Sequence, residues 1–128
     1  MGCDVLIVED DADLRDMMTQ MLSLEGFEAA AAANGREALD FLESGGRPHV
    51  ILLDLMMPVM DGWEFQRRRR GDPQLAQLPV VVLSALDEAR ARDATTHGFL
   101  KKPLDFDRLL AIVRDYCSPT PAAERYRG

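Results

Sequence analysis

The residues able to do chemistry fall in four short places: Glu9-Asp10-Asp11, Asp54, Ser84 and Lys101-Lys102. Each follows directly on an apolar run, respectively Val5 to Val8, Val50 to Leu53, Val80 to Leu83 and Phe99-Leu100. Three or four carboxylates gathered at one point repel one another, and the arrangement costs free energy unless a cation offsets it. The donors on offer are all oxygen, with no His or Cys among them. That set suits Mg²⁺, which keeps several waters and takes one or two carboxylates. A lysine ammonium beside Asp54 would offset charge and bind a phosphoryl oxygen, and the Ser84 hydroxyl would donate to another. Asp54 is then placed to attack phosphorus and form an aspartyl phosphate, with metal and ammonium stabilising the transferring group.

Such convergence needs elements that carry these residues to one edge. Asp4 to Val8 reads as a buried strand. Ala12 to Leu24 has the helical spacing of Leu14, Met17, Met18, Met21 and Leu22, and Gly26 stops it. Phe27 to Ala33 holds five alanines, which favour helix by propensity, but the stretch is short and bracketed by Gly26 and Asn34-Gly35, so a strand is expected. Asn34 opens a helix with Glu37 three residues on, and Gly45-Gly46 closes it. Val50 to Leu53 is a further strand, Met57-Pro58 to Asp61-Gly62 a loop, and a helix runs from there to about Arg70. Pro79 to Leu83 is a strand, Asp87 to about Thr96 a weak polar helix, Phe99-Leu100 a short strand. Asp105 caps a last helix containing Leu109, Leu110, Ile112 and Val113. Five strands, apolar throughout and alternating with helices, imply a parallel sheet covered on both faces. In such α/β sheets, reactive groups collect beyond the carboxyl ends of the strands.

The chain of 128 residues suits one domain, expected over residues 1–118 with a short tail at 119–128. Hydrophobic residues make up 47% and charged residues 29%, as in a soluble globular protein. No apolar run approaches the roughly 18 residues of a membrane span. The first residues lack the basic segment of a signal peptide. Cys3 and Cys117 form neither a disulfide framework nor a metal spacing, so a reducing cytoplasm is expected. Net charge is −7 and unevenly spread: residues 1–61 hold 13 acids and three bases, residues 62–128 nine acids and 12 bases. A chain of this balance is a poor direct binder of DNA, and its acidic half suits a cation or a basic partner.

The segments Val5-Leu-Ile-Val-Glu-Asp-Asp11, Leu52-Leu-Asp-Leu-Met-Met-Pro58 with Asp61-Gly62, Val80-Val-Val-Leu-Ser-Ala85 and Phe99-Leu-Lys-Lys-Pro103 resemble the receiver domain of response regulators in two-component signalling. The resemblance covers residues 4–117. It implies a flavodoxin-like fold, a five-stranded parallel sheet in the order 2-1-3-4-5 with helices on both faces. It further implies that Asp54 is the phosphoacceptor, Asp10 the direct Mg²⁺ ligand, Glu9 an acid acting through water and the Met56 carbonyl a backbone ligand. Ser84 is then the hydroxyl that follows the phosphoryl group, Lys102 the ammonium before a cis Pro103, and Phe99 the aromatic that turns inward on activation. Met56 and Leu86 hold the positions that tune hydrolysis; both are apolar, which implies a long-lived phosphoryl group. The implied donor is a histidine kinase or a histidine phosphotransfer protein, and the output partner is unknown. The implied role is that of a signalling domain of the single-domain type, not an enzyme.

The chain departs from the family in one region. Lys102 stands only 18 positions after Ser84, and Thr96-His97-Gly98 precedes the fifth strand, so the fourth helix is expected to be short or irregular. Plainer roles are expected elsewhere. Asp11 or Asp13 caps the first helix, and Lys101 is solvated. Arg67 to Arg70 form the exposed end of a helix. Met17, Met18 and Met21 fill core, Met57 and Met60 sit in a loop rim, Trp63 packs, and His49 and His97 are structural. Three other readings fit these residues less well. A phosphorylation-independent interaction module of the same fold would not need Asp10, Asp54 and Lys102. An aspartate-nucleophile phosphatase needs a second Asp where Met56 stands. A flavin site would be repelled by the acids after the first strand.

Overall fold

The structure, a computed structural model, describes residues 4–94 and 97–117. Cys3, Thr96 and the tail at 119–128 lie outside the described residues. The elements alternate along the chain: β1 (Val5–Val8), α1 (Ala12–Leu24), β2 (Ala29–Ala32), α2 (Gly35–Glu43), β3 (Val50–Asp54), α3 (Gly62–Arg70), β4 (Val80–Ser84), α4 (Glu88–Ala91), β5 (Gly98–Lys101) and α5 (Phe106–Cys117). The strands form one parallel sheet in the order β2-β1-β3-β4-β5.

The three inner strands β1, β3 and β4 are buried on both faces, and successive side chains serve two cores. Leu6, Val8, Ile51, Leu53, Val80 and Val82 pack with Ala38, Leu39 and Leu42 of α2 and Phe65 of α3. Val5, Ile7, Val50, Leu52, Val81 and Leu83 pack with Met18 and Leu22 of α1 and Leu109, Val113 and Cys117 of α5. The alanine run becomes the edge strand β2, paired residue for residue with β1. The seven residues between Gly26 and Asn34 are too few to sustain a helix of their own, and pairing with β1 decides the conformation.

The helix caps expected at Asp11, Asn34 and Asp105 are present, and Asp61 and Asp87 cap α3 and α4 in the same way. Asp11 accepts from the amides of Asp13 and Leu14, Asn34 from Glu37, Asp61 from Glu64, Asp87 from Arg90, and Asp105 from Asp107 and Arg108. The Lys102-Pro103 bond is cis. The fourth helix is short, a single turn that stops well before the expected Thr96.

Three expectations need correction. Arg69 is fully buried, unlike its exposed neighbours Arg67, Arg68 and Arg70. Its Nε donates to Gln66 Oε1 (2.7 Å), and Nη1 donates to the carbonyls of Leu75, Ala76 and Leu78. Four residues beyond the core residue Phe65, it lies on the inner face of α3. Met17 is exposed, because the inner stripe of α1 runs through Met18 and Leu22. Met60 is buried in the core, where its carbonyl receives the Gly35 amide at 2.9 Å. The two histidines are structural: Nδ1 of His97 accepts the Val80 amide (3.1 Å), and His49 lies beside Asp4 (3.5 Å). Burial, then the nearby Arg69 charge, lowers the His97 pKa.

Candidate phosphoacceptor site

The carboxyl ends of β1, β3 and β5 bring the candidate residues together. Beyond β1, the Glu9 amide still bonds the Ala32 carbonyl (3.0 Å), so the sheet pairing continues and the Glu9 side chain points inward, 1% exposed. Its two carboxylate oxygens are both engaged. One takes the Lys102 ammonium at 2.7 Å and the other the Asp11 amide at 3.1 Å. Arg15, reaching back from α1, donates to the Glu9 carbonyl at 2.8 Å. Nothing in the sequence singled out that arginine, because a side chain holding a backbone oxygen six residues away leaves no pattern.

Asp54 ends β3 and is 4% exposed. Lys102 Nζ lies 3.5 Å from its Oδ1 and so bridges Asp54 and Glu9. Glu9, Asp10 and Asp54 each offer an oxygen within 4.8 Å of the others, with Asp10 exposed and the other two buried. In front of them lies a cleft of about 360 Å³ lined by Asp10, Met56, Met57, Pro58 and Asp61.

Gly62 explains the closeness of loop and strand. Its amide donates to the Leu55 carbonyl (2.9 Å), and a Cβ there would stand 2.7 Å from the Asp54 carbonyl oxygen. The first turn of α3 can therefore rest on the strand end only if this residue is glycine. Val59, in the same loop, has φ of 68°, a backbone state costly for a β-branched residue.

Ser84 is fully buried at the end of β4, where its Oγ accepts the Leu86 amide at 3.0 Å and its carbonyl accepts the Lys102 amide at 2.8 Å. The strand end carrying Ser84 is thus tied to the residue that carries the ammonium. Lys101 is exposed as expected, but its ammonium is not simply solvated: it holds the Ala85 carbonyl at 2.9 Å. Phe99 is half-buried against the core beneath α2 and α3.

The charges do not balance. Burial, and next the Glu9 charge, push the Asp54 carboxyl up to about 7, with a hydrogen bond shared with Asp10 adding to the rise. The Lys102 charge and the Met56 amide act in the other direction. For Lys102, burial pulls the pKa down, but the hydrogen bond to Glu9 and the charges of Asp54 and Glu9 outweigh it and the net shift is upward. One ammonium among three carboxylates leaves the cluster short of positive charge. A hard divalent cation bound through oxygen fits both the donor set and the deficit.

A family model described as the response regulator receiver domain matches residues 5–114. The chain belongs to this family. Among relatives, the response regulator MprA of Mycolicibacterium vanbaalenii is 39% identical over 114 residues, 86% of this chain and 48% of that one. MprA of Mycobacterium tuberculosis is 38% identical over 118 residues, 89% of this chain and 50% of that one. The receiver domain thus spans about half the length of those relatives. Among solved structures, the receiver domain of a signal transduction histidine kinase from Syntrophus aciditrophicus superposes with a TM-score of 0.83 at 31% identity, covering 94% of each chain. The receiver domain of a sensor histidine kinase from Pseudomonas aeruginosa has a TM-score of 0.81 at 27% identity, covering 91% of this chain and 98% of that one. That structure carries a magnesium ion coordinated in its active-site cleft. Receiver domains are signalling modules, and the fold and strand order of this chain are those of the family.

Proposed function

We propose that this receiver domain accepts a phosphoryl group on Asp54 in a Mg²⁺-dependent reaction, from a histidine kinase or a histidine phosphotransfer protein. The observation that carries the reading is the convergence of Glu9, Asp10 and Asp54 within 4.8 Å under the Lys102 ammonium. Residues 93 positions apart in sequence meet there.

Asp10, Asp54 and the Met56 carbonyl are the proposed metal ligands. Both Glu9 oxygens are already engaged, which suits an acid acting through water. When bound, Mg²⁺ neutralises charge on the carboxylates and on the oxygens of the transferring group. The chain's own residues do the rest. The ionised Asp54 carboxylate attacks phosphorus; the new oxygen–phosphorus bond forms as the phosphorus–nitrogen bond to the donor imidazole breaks. Lys102, fixed by Glu9, faces the developing negative charge. Because Ser84 Oγ accepts from Leu86, its own proton remains available to a phosphoryl oxygen.

Movement of Ser84 toward that oxygen would open space for Phe99 and change the surface that an output partner reads, a shift between two packings. A cleft of about 380 Å³ beside Lys102, lined by Leu14, Met17, Pro103, Leu104 and Phe106 with Asp11 and Asp13, offers the donor an apolar seat at the site. Incubation with Mg²⁺ and a small phosphodonor should add one phosphoryl group to the wild type and none to Asp54→Asn. An unchanged mass in the wild type would reject the reading and favour an interaction module that works without phosphorylation.

A further inference from the structure

Asp10 is the exposed member of the acidic cluster, so packing does not set where its carboxylate points. Its direction comes from the backbone on either side. Before it, the Glu9 amide is tied to the Ala32 carbonyl (3.0 Å), and the Glu9 carbonyl takes Nη1 of Arg15 (2.8 Å). After it, the Asp11 amide is tied to Glu9 Oε2 (3.1 Å), and the Asp11 carbonyl takes the backbone amide of Arg15 (2.9 Å). One residue thus holds the carbonyls on both sides of Asp10. The amide bond is the ordinary first bond of α1, and any residue but proline would make it. The bond to Glu9 needs a long side chain with a donor at its end. Because the peptide unit is planar, fixing the Glu9 carbonyl fixes the plane from which Asp10 departs. Among the described residues no carboxylate pairs with the Arg15 guanidinium, so its bond goes to the backbone and not to the acids themselves.

We propose that Arg15 is a positioning residue for Mg²⁺: its guanidinium holds the Glu9-Asp10 peptide so that Asp10 faces the space it shares with Asp54. This deepens the function proposed above and rests on it. Arg15 is not itself a ligand; it acts through a backbone oxygen. Two effects of Arg15 oppose each other and differ in sign. As a positive charge near three carboxylates it disfavours a further cation, and its removal would tighten Mg²⁺ binding. As a clamp it lowers the cost of ordering Asp10, and its removal weakens Mg²⁺ binding. The guanidinium is half-buried and spends a hydrogen bond on the carbonyl, while solvent and salt screen its charge. The clamp therefore dominates.

Calorimetric titration of the full chain with magnesium chloride reads the binding directly, with no phosphodonor present. Arg15→Met keeps the aliphatic stem and the amide bond to Asp11 but removes the side-chain donors. It should weaken Mg²⁺ binding roughly tenfold. The Mg²⁺ concentration that half-saturates phosphoryl uptake should rise by the same factor, and excess Mg²⁺ should bring the rate back toward that of the wild type. Arg15→Lys, whose ammonium can donate to the same carbonyl, should restore most of the affinity. Mg²⁺ binding by Arg15→Met that is unchanged or tighter would overturn the proposal. So would a loss of uptake that excess Mg²⁺ does not repair, a lysine variant as weak as the methionine one, or a methionine variant that does not fold, since the guanidinium would then serve the fold alone. If the wild type binds Mg²⁺ and takes up a phosphoryl group while Arg15→Met matches it in both, only this inference falls. If the wild type does neither, the function proposed above falls with it.

Discussion

In the proposed reaction Asp54 must be ionised, yet its surroundings favour the protonated form up to about pH 7. Because the folded state holds that proton more tightly than the unfolded chain, Asp54 contributes stability that is present at low pH and lost as pH rises toward and past 7. In metal-free protein, urea titrations should therefore show Asp54→Asn more stable than wild type at pH 8, by about 1–3 kcal/mol, and the difference should shrink at pH 5. Saturating Mg²⁺ should remove most of the wild type's deficit by supplying the missing charge. Lys102→Met should slow phosphoryl uptake by roughly 100-fold, as loss of one charge-stabilising donor does elsewhere. The exposed Val59 backbone at φ of 68° sits where an L-residue pays about 1–2 kcal/mol. Val59→Gly should recover about 1 kcal/mol in chemical denaturation, the gain being limited by the freer unfolded chain.

At the scale of elements, α3 links the site to the opposite end of the strands, where Arg69 meets the segment leading into β4. Its first turn rests on the Asp54 and Leu55 backbone through Gly62, and its last turn carries Arg69. Gly62→Ala should destabilise the fold by about 1–3 kcal/mol and slow phosphoryl uptake, because the helix must back away from the strand end. Arg69→Met should cost about 2–4 kcal/mol in urea unfolding, since Gln66 Oε1 and the Leu75 and Leu78 carbonyls lose a buried donor. The buried arginine was legible in principle: Phe65, Gln66 and Arg69 share one helical face. Four consecutive arginines nonetheless look like a solvated end, because charge is the louder signal. Met60 had no periodicity to mark it, since a loop residue's burial depends on which helix start, here Gly35, lands upon it. The shortness of α4 was readable from the 18-position interval between Ser84 and Lys102.

For the whole molecule, the sheet order was implied by the resemblance to the receiver family, whereas the meeting of the β1, β3 and β5 ends follows from apolar runs each closed by a polar residue. That pattern is visible in sequence because a parallel sheet covered on both faces leaves polar groups only at strand ends. The network that holds Lys102 was not visible: Arg15 on the Glu9 carbonyl and Lys102 on both acids are long-range choices of rotamer. The account predicts that all of this serves one nucleophile. Peptide-resolved mass spectrometry after exposure to a small phosphodonor, with and without Mg²⁺, tests that most directly. The phosphoryl group should map to Asp54 and appear only when Mg²⁺ is present. A label on any other residue, or uptake unchanged by removing the metal, would contradict it.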